Sequence, residues 1–259
     1  MLPSSTTRVF SASKSNIPYL GFRITDPDDC IDWLSTAVRE RAYDLEEAGS
    51  FEALLHAEGF DTSELFAAIT APDEPLTEKD LGESMAELAL QQLHGAVWFT
   101  NRRRDMRSVR ASLPGADIVG FVPCENGGYR LIFAEVKTSS DPKVPPAVMY
   151  GETGLQYQLY KLATDARILK QLLRYTFSRV RGTEMMPVLK EALVRLDKEF
   201  MSGTELVGVL VRDTPVAEKD ASHHAGLLAA QLPASNNMSL IALYVCVPAK
   251  DWSLHCPPV

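Results

Sequence analysis

Cysteine is scarce in this chain of 259 residues: Cys30, Cys124, Cys246 and Cys256 are the only four, and no two form a C-x-x-C pair. Scattered thiols of this kind fit a reducing compartment and give no support to a disulfide scaffold or a cysteine-based zinc site. Long apolar runs are missing as well. No stretch of about 18 hydrophobic residues occurs, so no segment reads as a membrane span. The opening "MLPSSTTRVFSASKSN" lacks the apolar block of a secretory leader, and a cytoplasmic location is expected. A Gly-rich phosphate cradle, G-x-S-x-G and H-E-x-x-H are absent, which leaves P-loop, serine-hydrolase and zincin chemistry without a motif. Of the five histidines only His223 and His224 adjoin. Neighbours on a helix point about 100° apart, which makes them poor joint ligands for one metal.

Positive charge is short overall, with a formal net charge of −8, but it is unevenly spread. Residues 101–181 hold 14 Lys and Arg against 7 Asp and Glu, a local balance of +7, while the rest of the chain stands at −15. A basic zone in an acidic protein suits a surface that tracks phosphates, and it equally suits a solvated face.

Hydrophobic periodicity places the elements. Asp26 as N-cap, Pro27 at the first position and Ile31, Leu34, Val38, Ala42 and Leu45 at helical spacing predict a helix over 27–47. Shorter helices are expected near 50–58 and 62–69. The Pro- and charge-rich "TAPDEPLTEKD" at 70–80 marks a boundary, giving a mostly helical extension over 1–75 and an α/β unit over 76–259. Thr77 caps a helix expected over 77–94, with Leu81, Met85, Leu88 and Gln92 as its stripe and Gly95 at its end. Strands are expected at 96–100, 116–122 and 129–137, the last two joined by the Asn126-Gly127 turn. Helices over 153–181 and 187–201, a strand at 205–212, a helix near 217–231 and a strand at 239–247 complete the chain. The fold class is α/β in the layered α+β sense: a mixed central sheet flanked by helices.

The third of these strands, "YRLIFAEVK", ends on two opposite charges. Strand alternation puts Leu131, Phe133, Glu135 and Lys137 on one face, so the two charges emerge together about 7 Å apart. Alone, they read as a strand-end salt bridge. Asp117 opens the preceding strand, and the Asn-Gly hairpin lays that start beside the Glu135/Lys137 end. Two facing carboxylates repel, each raising the other's pKa. A hard divalent cation relieves that repulsion and prefers oxygen ligands. Upstream, Glu83 and Glu87 lie one turn apart on the helix over 77–94, either as a solvated face or as part of a site. Downstream, Gln156 and Tyr160 are four apart and project together.

Asp117, Glu135-Val136-Lys137, a helical glutamate before them and Gln156-x3-Tyr160 after them, in the order α-β-β-β-α-β, resemble the PD-(D/E)xK nuclease superfamily. The likeness spans residues 77–212, about half the chain. Ala116 stands where that family often has Pro before the aspartate, and Glu83 matches the helical glutamate better than Glu87. The resemblance implies a restriction-endonuclease-like core that hydrolyses DNA with Mg²⁺ or Mn²⁺. It implies that Asp117, Glu135, the Val136 carbonyl and Glu83 hold the metal, that Lys137 serves the attacking water, and that Gln156 and Tyr160 position the nucleic acid. Arg102, Arg103, Arg104, Arg107 and Arg110 before the site, and Lys161, Arg167, Lys170 and Arg174 after it, are the candidate phosphate contacts. The chain's size, its acidic helical start, "GLQYQLYK" after E-V-K and its strand-helix-strand tail also resemble the nuclease effectors of Hachiman antiphage systems. That likeness implies a partner helicase or ATPase. The alternative is a catalytically silent nuclease-fold module that binds nucleic acid or a partner protein.

Overall fold

The computed structural model describes residues 1–60, 64–69, 74–101, 115–234 and 236–258. Its centre is a six-stranded mixed sheet. The strands are β1 (Thr6–Lys14), β2 (Ile17–Ile24), β3 (Ile118–Pro123), β4 (Tyr129–Ser139), β5 (Thr204–Arg212) and β6 (Met238–Tyr244), in the order β1-β2-β6-β5-β4-β3. The two outer pairs are antiparallel and the three inner pairings are parallel. Parallel strands covered on both faces should read as near-continuous apolar runs, and "LVGVLVR" and "SLIALY" do. Two separate apolar clusters lie on the two faces. On β4, Ile132, Ala134 and Val136 belong to one, Leu131 and Phe133 to the other.

The first face carries α1 (Pro27–Trp33), α2 (Arg39–Tyr43), α5 (Glu78–His94) and the short α10 (Trp252–His255). The second carries α6 (Leu155–Thr164), α7 (Ala166–Val180), α8 (Met186–Glu199) and α9 (Lys219–Gln231). Between α2 and α5 run α3 (Leu45–Ala57) and α4 (Glu64–Ile69).

Local chemistry sets several boundaries. Asp26 accepts hydrogen bonds from the Asp28 and Asp29 amides, and Thr77 and Asp80 form a reciprocal capping box that starts α5. The helix expected over 27–47 is broken by a π-helical turn at Leu34–Val38 and ends at Asp44, whose φ is 55°. Ser35 and Thr36 hydroxyls donate to the Asp32 carbonyl, and Cys256 Sγ donates to the Leu34 carbonyl, so side chains compete for acceptors of the regular ladder. The helix expected over 153–181 divides at Asp165, which caps α7 by accepting from the Arg167 amide. The strand expected at 96–100 reduces to a single bridge between Val97 and Phe121. The sheet also crosses the expected boundary at 75: β2 pairs in parallel with β6, so residues 6–24 belong to the same central layer as the rest.

Candidate active site

β3 and β4 run antiparallel in the register Ile118↔Ala134. The Asp117 amide donates to the Ala134 carbonyl at 3.0 Å, the last backbone bond of that ladder. One step on, the side chain takes over: Val136 N–H donates to Asp117 Oδ2 at 2.9 Å. A strand residue presents its N–H and C=O to the same neighbour. The Val136 carbonyl therefore also points to the β3 side, past the residue where β3 begins. Glu135 and Lys137, of opposite parity, project from the α6–α9 face, and Lys137 Nζ donates to Glu135 Oε1 at 2.6 Å. Asp117 has the parity of Val119 and Phe121, which lie in the same apolar cluster as Leu131 and Phe133. Asp117, Glu135 and Lys137 thus meet at one corner of one face.

The electrostatics of that corner are strained. Glu135 is 6% exposed. Burial first, and the Asp117 carboxylate second, push its pKa up to about 7, while Lys137 opposes them. The oxygen donors gathered here are two carboxylates and one carbonyl. Among the described residues no group of three or more His, Cys, Asp or Glu stands together as a metal cluster. Mg²⁺ commonly uses one or two carboxylates, with waters and substrate phosphates filling its octahedron. The hard oxygen set and the mutual repulsion of Asp117 and Glu135 fit such an ion.

The two helical glutamates are buried rather than solvated, at 6% and 7% exposure. Glu87 pairs with the guanidinium of Arg41, which also donates to the Thr100 carbonyl at 2.6 Å. Glu83 stands 3.4 Å from Lys79 Nζ. α5 lies on the face opposite Glu135, so near to β4 that a Cβ on Gly82 would sit 2.0 Å from Thr138 Oγ1. Glu83 is therefore close to the end of β4 but across the sheet from Glu135 and Lys137.

Gln156 and Tyr160 share a pocket of about 490 Å³. Their neighbours belong to α9: His224 Nδ1 donates to Gln156 Oε1 at 3.0 Å, and Gln156 Nε2 donates to Gln231 Oε1 at 3.4 Å. On its inner side α6 rests on β5. A Cβ on Gly208, the residue paired with Glu135, would meet Leu159 at 2.6 Å and Leu155 at 3.3 Å. Gln156 and Tyr160 thus sit one strand away from Glu135, turned towards α9. Sequence reading did not link Tyr150, Tyr157 and Gln231 to this site, and it weighed His224 only as a poor metal ligand beside His223. The i, i+4 spacing already joined Tyr160 to Gln156, but only the fold brings in α9.

Lys161 lies 4.9 Å from the centre of the Tyr157 ring. Arg167, Lys170 and Arg174 are exposed on the outer face of α7. The inner face of that helix meets the chain beside Asp117, since a Cβ on Gly115 would lie 2.5 Å from Ile168. Arg102, Arg103, Arg104, Arg107 and Arg110 lie outside the described residues. No helix among the described residues is long and apolar enough to cross a membrane. Neither the protein-family models searched nor the curated proteins searched give a match to this chain.

Proposed function

We propose that the chain is a metal-dependent nuclease that hydrolyses DNA phosphodiester bonds in the manner of the PD-(D/E)xK superfamily. The observation that carries this reading is the convergence of Asp117, Glu135, the Val136 carbonyl and Lys137 at the β3/β4 corner. A salt bridge alone would not explain why a second carboxylate is held against Glu135 by a backbone amide. Asp117, Glu135 and the Val136 carbonyl would hold Mg²⁺ or Mn²⁺. Such an ion, when bound, lowers the pKa of a coordinated water and neutralises phosphate charge. Glu135 must be ionised to serve as a ligand, and Lys137 favours that state. The Lys137 ammonium also supplies a fixed positive charge where negative charge develops on the phosphoryl oxygens. Asp117, tied to the Val136 amide, holds the end of β4 in place. Glu83 lies across the sheet from this corner and would reach such an ion only indirectly, through water. Arg167, Lys170 and Arg174 provide a basic surface for the DNA backbone.

The test is cleavage of plasmid and single-stranded DNA by purified protein with Mg²⁺, Mn²⁺ or EDTA. Activity should require the ion, and Asp117→Ala, Glu135→Ala and Lys137→Ala should each lower it by about 10²-fold or more. Cleavage that survives EDTA or these substitutions sinks the mechanism. A second reading is a nuclease-like module that binds without cutting, in which the 2.6 Å Lys137–Glu135 contact serves as a strand-end salt bridge. DNA binding without cleavage under any of these conditions would favour it. The antiphage role with a partner helicase or ATPase rests on the sequence resemblance alone. Its test is whether a helicase encoded beside this chain co-purifies with it and changes its cleavage.

A further inference from the structure

The pocket beside α6 has a chemistry of its own. Its walls include Tyr150, Tyr157 and Tyr160 together with Gln156, Gln231 and Glu152. Tyr150 and Tyr157 are 45% and 37% exposed, so both rings reach solvent at the pocket. Tyr150 is held in place by its backbone. The segment 150–154 folds so tightly that a Cβ on Gly154 would lie 2.3 Å from the Tyr150 carbonyl oxygen, and the Tyr150 ring rests edge-on against His224, 4.8 Å between centres. Gln156 is fixed by His224, which is fully buried. Among the described residues no Lys or Arg lines the pocket and one carboxylate does, which disfavours a phosphate inside it. A flat, neutral heterocycle bearing both donors and acceptors suits it: aromatic faces for stacking, side-chain amides for the edges, and Glu152 for an exocyclic amino group. Lys161 stands against Tyr157 at the rim, and the exposed basic face of α7, the next helix, follows.

We propose that this pocket receives an unpaired nucleobase of a DNA strand whose backbone runs past Lys161, so that the protein selects single-stranded or unstacked DNA over intact duplex. A duplex hides its base faces, whereas every unpaired base has a π-face to offer. The pocket lies one strand from Glu135, so a base held here anchors a strand beside the β3/β4 corner. This inference deepens the nuclease reading and rests on it for the identity of the ligand.

The experiment is fluorescence anisotropy in EDTA, which separates binding from cleavage. The probes are a labelled single strand, the same strand with abasic spacers, and the matching blunt duplex. The wild type should bind the single strand more tightly than the abasic strand or the duplex. Tyr150→Ala with Tyr157→Ala should weaken single-strand binding by about ten-fold or more and leave duplex binding unchanged. The corresponding Phe variants should keep it, because stacking needs the ring and not the hydroxyl. Circular dichroism should find the variants folded, since both rings are exposed. Single-strand binding by the Ala variant as tight as that of the wild type overturns the proposal, as does equal loss on both probes. A free mononucleotide that competes as well as the strand overturns the assignment to a strand. Metal-dependent cleavage with no effect of the tyrosines removes the pocket alone. Absence of both cleavage and binding removes the nuclease reading with it.

Discussion

At the residue scale, partners separate two glutamates that lie one turn apart on α5. Glu87 is tied to Arg41, and Arg41 also reaches the Thr100 carbonyl, while Asn101 Nδ2 donates back to the Arg41 carbonyl at 2.9 Å. This set fastens α2 to α5 and to the segment after it. Breaking a largely buried pair strands the remaining charge, at about 3 kcal/mol. Glu87→Ala is therefore expected to lower stability by about that amount in urea unfolding. Glu83→Gln keeps the packing volume and hydrogen-bonding capacity of the side chain, so it should cost less stability than Glu87→Ala and act on DNA cleavage instead. Equal stability losses in the two variants would contradict this division. His224 adds a pH dependence. Burial first, and the neighbouring His223 second, lower its pKa from 6.5 to about 4. Its other close neighbours are the Tyr150 ring, the Gln156 amide and, one turn earlier on α9, Asp220. The folded protein resists protonation that the unfolded chain accepts, so this contribution is intact above about pH 6.5 and fades as pH falls towards 4. Acid unfolding monitored by circular dichroism should thus be shallower for His224→Gln than for the wild type, by on the order of 2–3 kcal/mol across that range.

At the element scale, the site depends on how closely α5 approaches β4. Gly82 makes that approach possible, because a Cβ there would lie 2.0 Å from Thr138 Oγ1 and 3.2 Å from Thr138 Cβ. Two effects compete in Gly82→Ala. Helix propensity favours Ala by about 1 kcal/mol, whereas overpacking against a strand typically costs about 1–3 kcal/mol. The hydroxyl contact is too short to absorb without movement, so the substitution should destabilise. Thr138→Ala removes the obstructing oxygen and should recover much of the loss in a double-mutant cycle. Stabilisation by Gly82→Ala alone would show that α5 is free to shift. The same scale explains what could be read from sequence. Thr77 and Asp26 act through neighbours a few residues away and cap as their spacing suggests. The hairpin forms at the Asn126-Gly127 signal, although its turn is centred on Glu125-Asn126 with Gly127 and Gly128 left-handed. The hairpin even placed Asp117 against the E-V-K correctly, because a two-strand register is a local property. The parallel pairing of β2 with β6 joins residues more than 200 positions apart, and no local pattern encodes it. Likewise, nothing near Gln156 announces His224 and Gln231. Glu83's place on the opposite face follows from which side of the sheet α5 covers, and an amphipathic stripe does not say which side that is.

At the scale of the whole molecule, charge and topology combine. The acidic excess lies mostly outside residues 101–181, and the basic zone includes α7 on the flank of β3. α7 itself has Arg167, Lys170, Arg174 and Arg179 and no acidic residue, with Asp165 capping its start. Arg167, Lys170 and Arg174 follow one another along the outer face over about 10 Å, the span of roughly three nucleotides. β1 forms the other edge of the sheet, about 24 Å away across five strand spacings, and bears the exposed Arg8 and Lys14. If DNA lies along the α7 side, removing its cations must reduce the number of counterions released. Arg167→Ala, Lys170→Ala and Arg174→Ala combined should lower the slope of log K against log salt by about 2 to 3, measured by anisotropy between low and moderate salt. Arg8→Ala with Lys14→Ala, which changes net charge by a similar amount at the far edge, should leave the slope unaltered. The comparison separates a local contact from a general field, because a long-range effect of net charge would move both variants alike. Equal slopes in the α7 variant and the wild type would place the DNA path elsewhere on the protein.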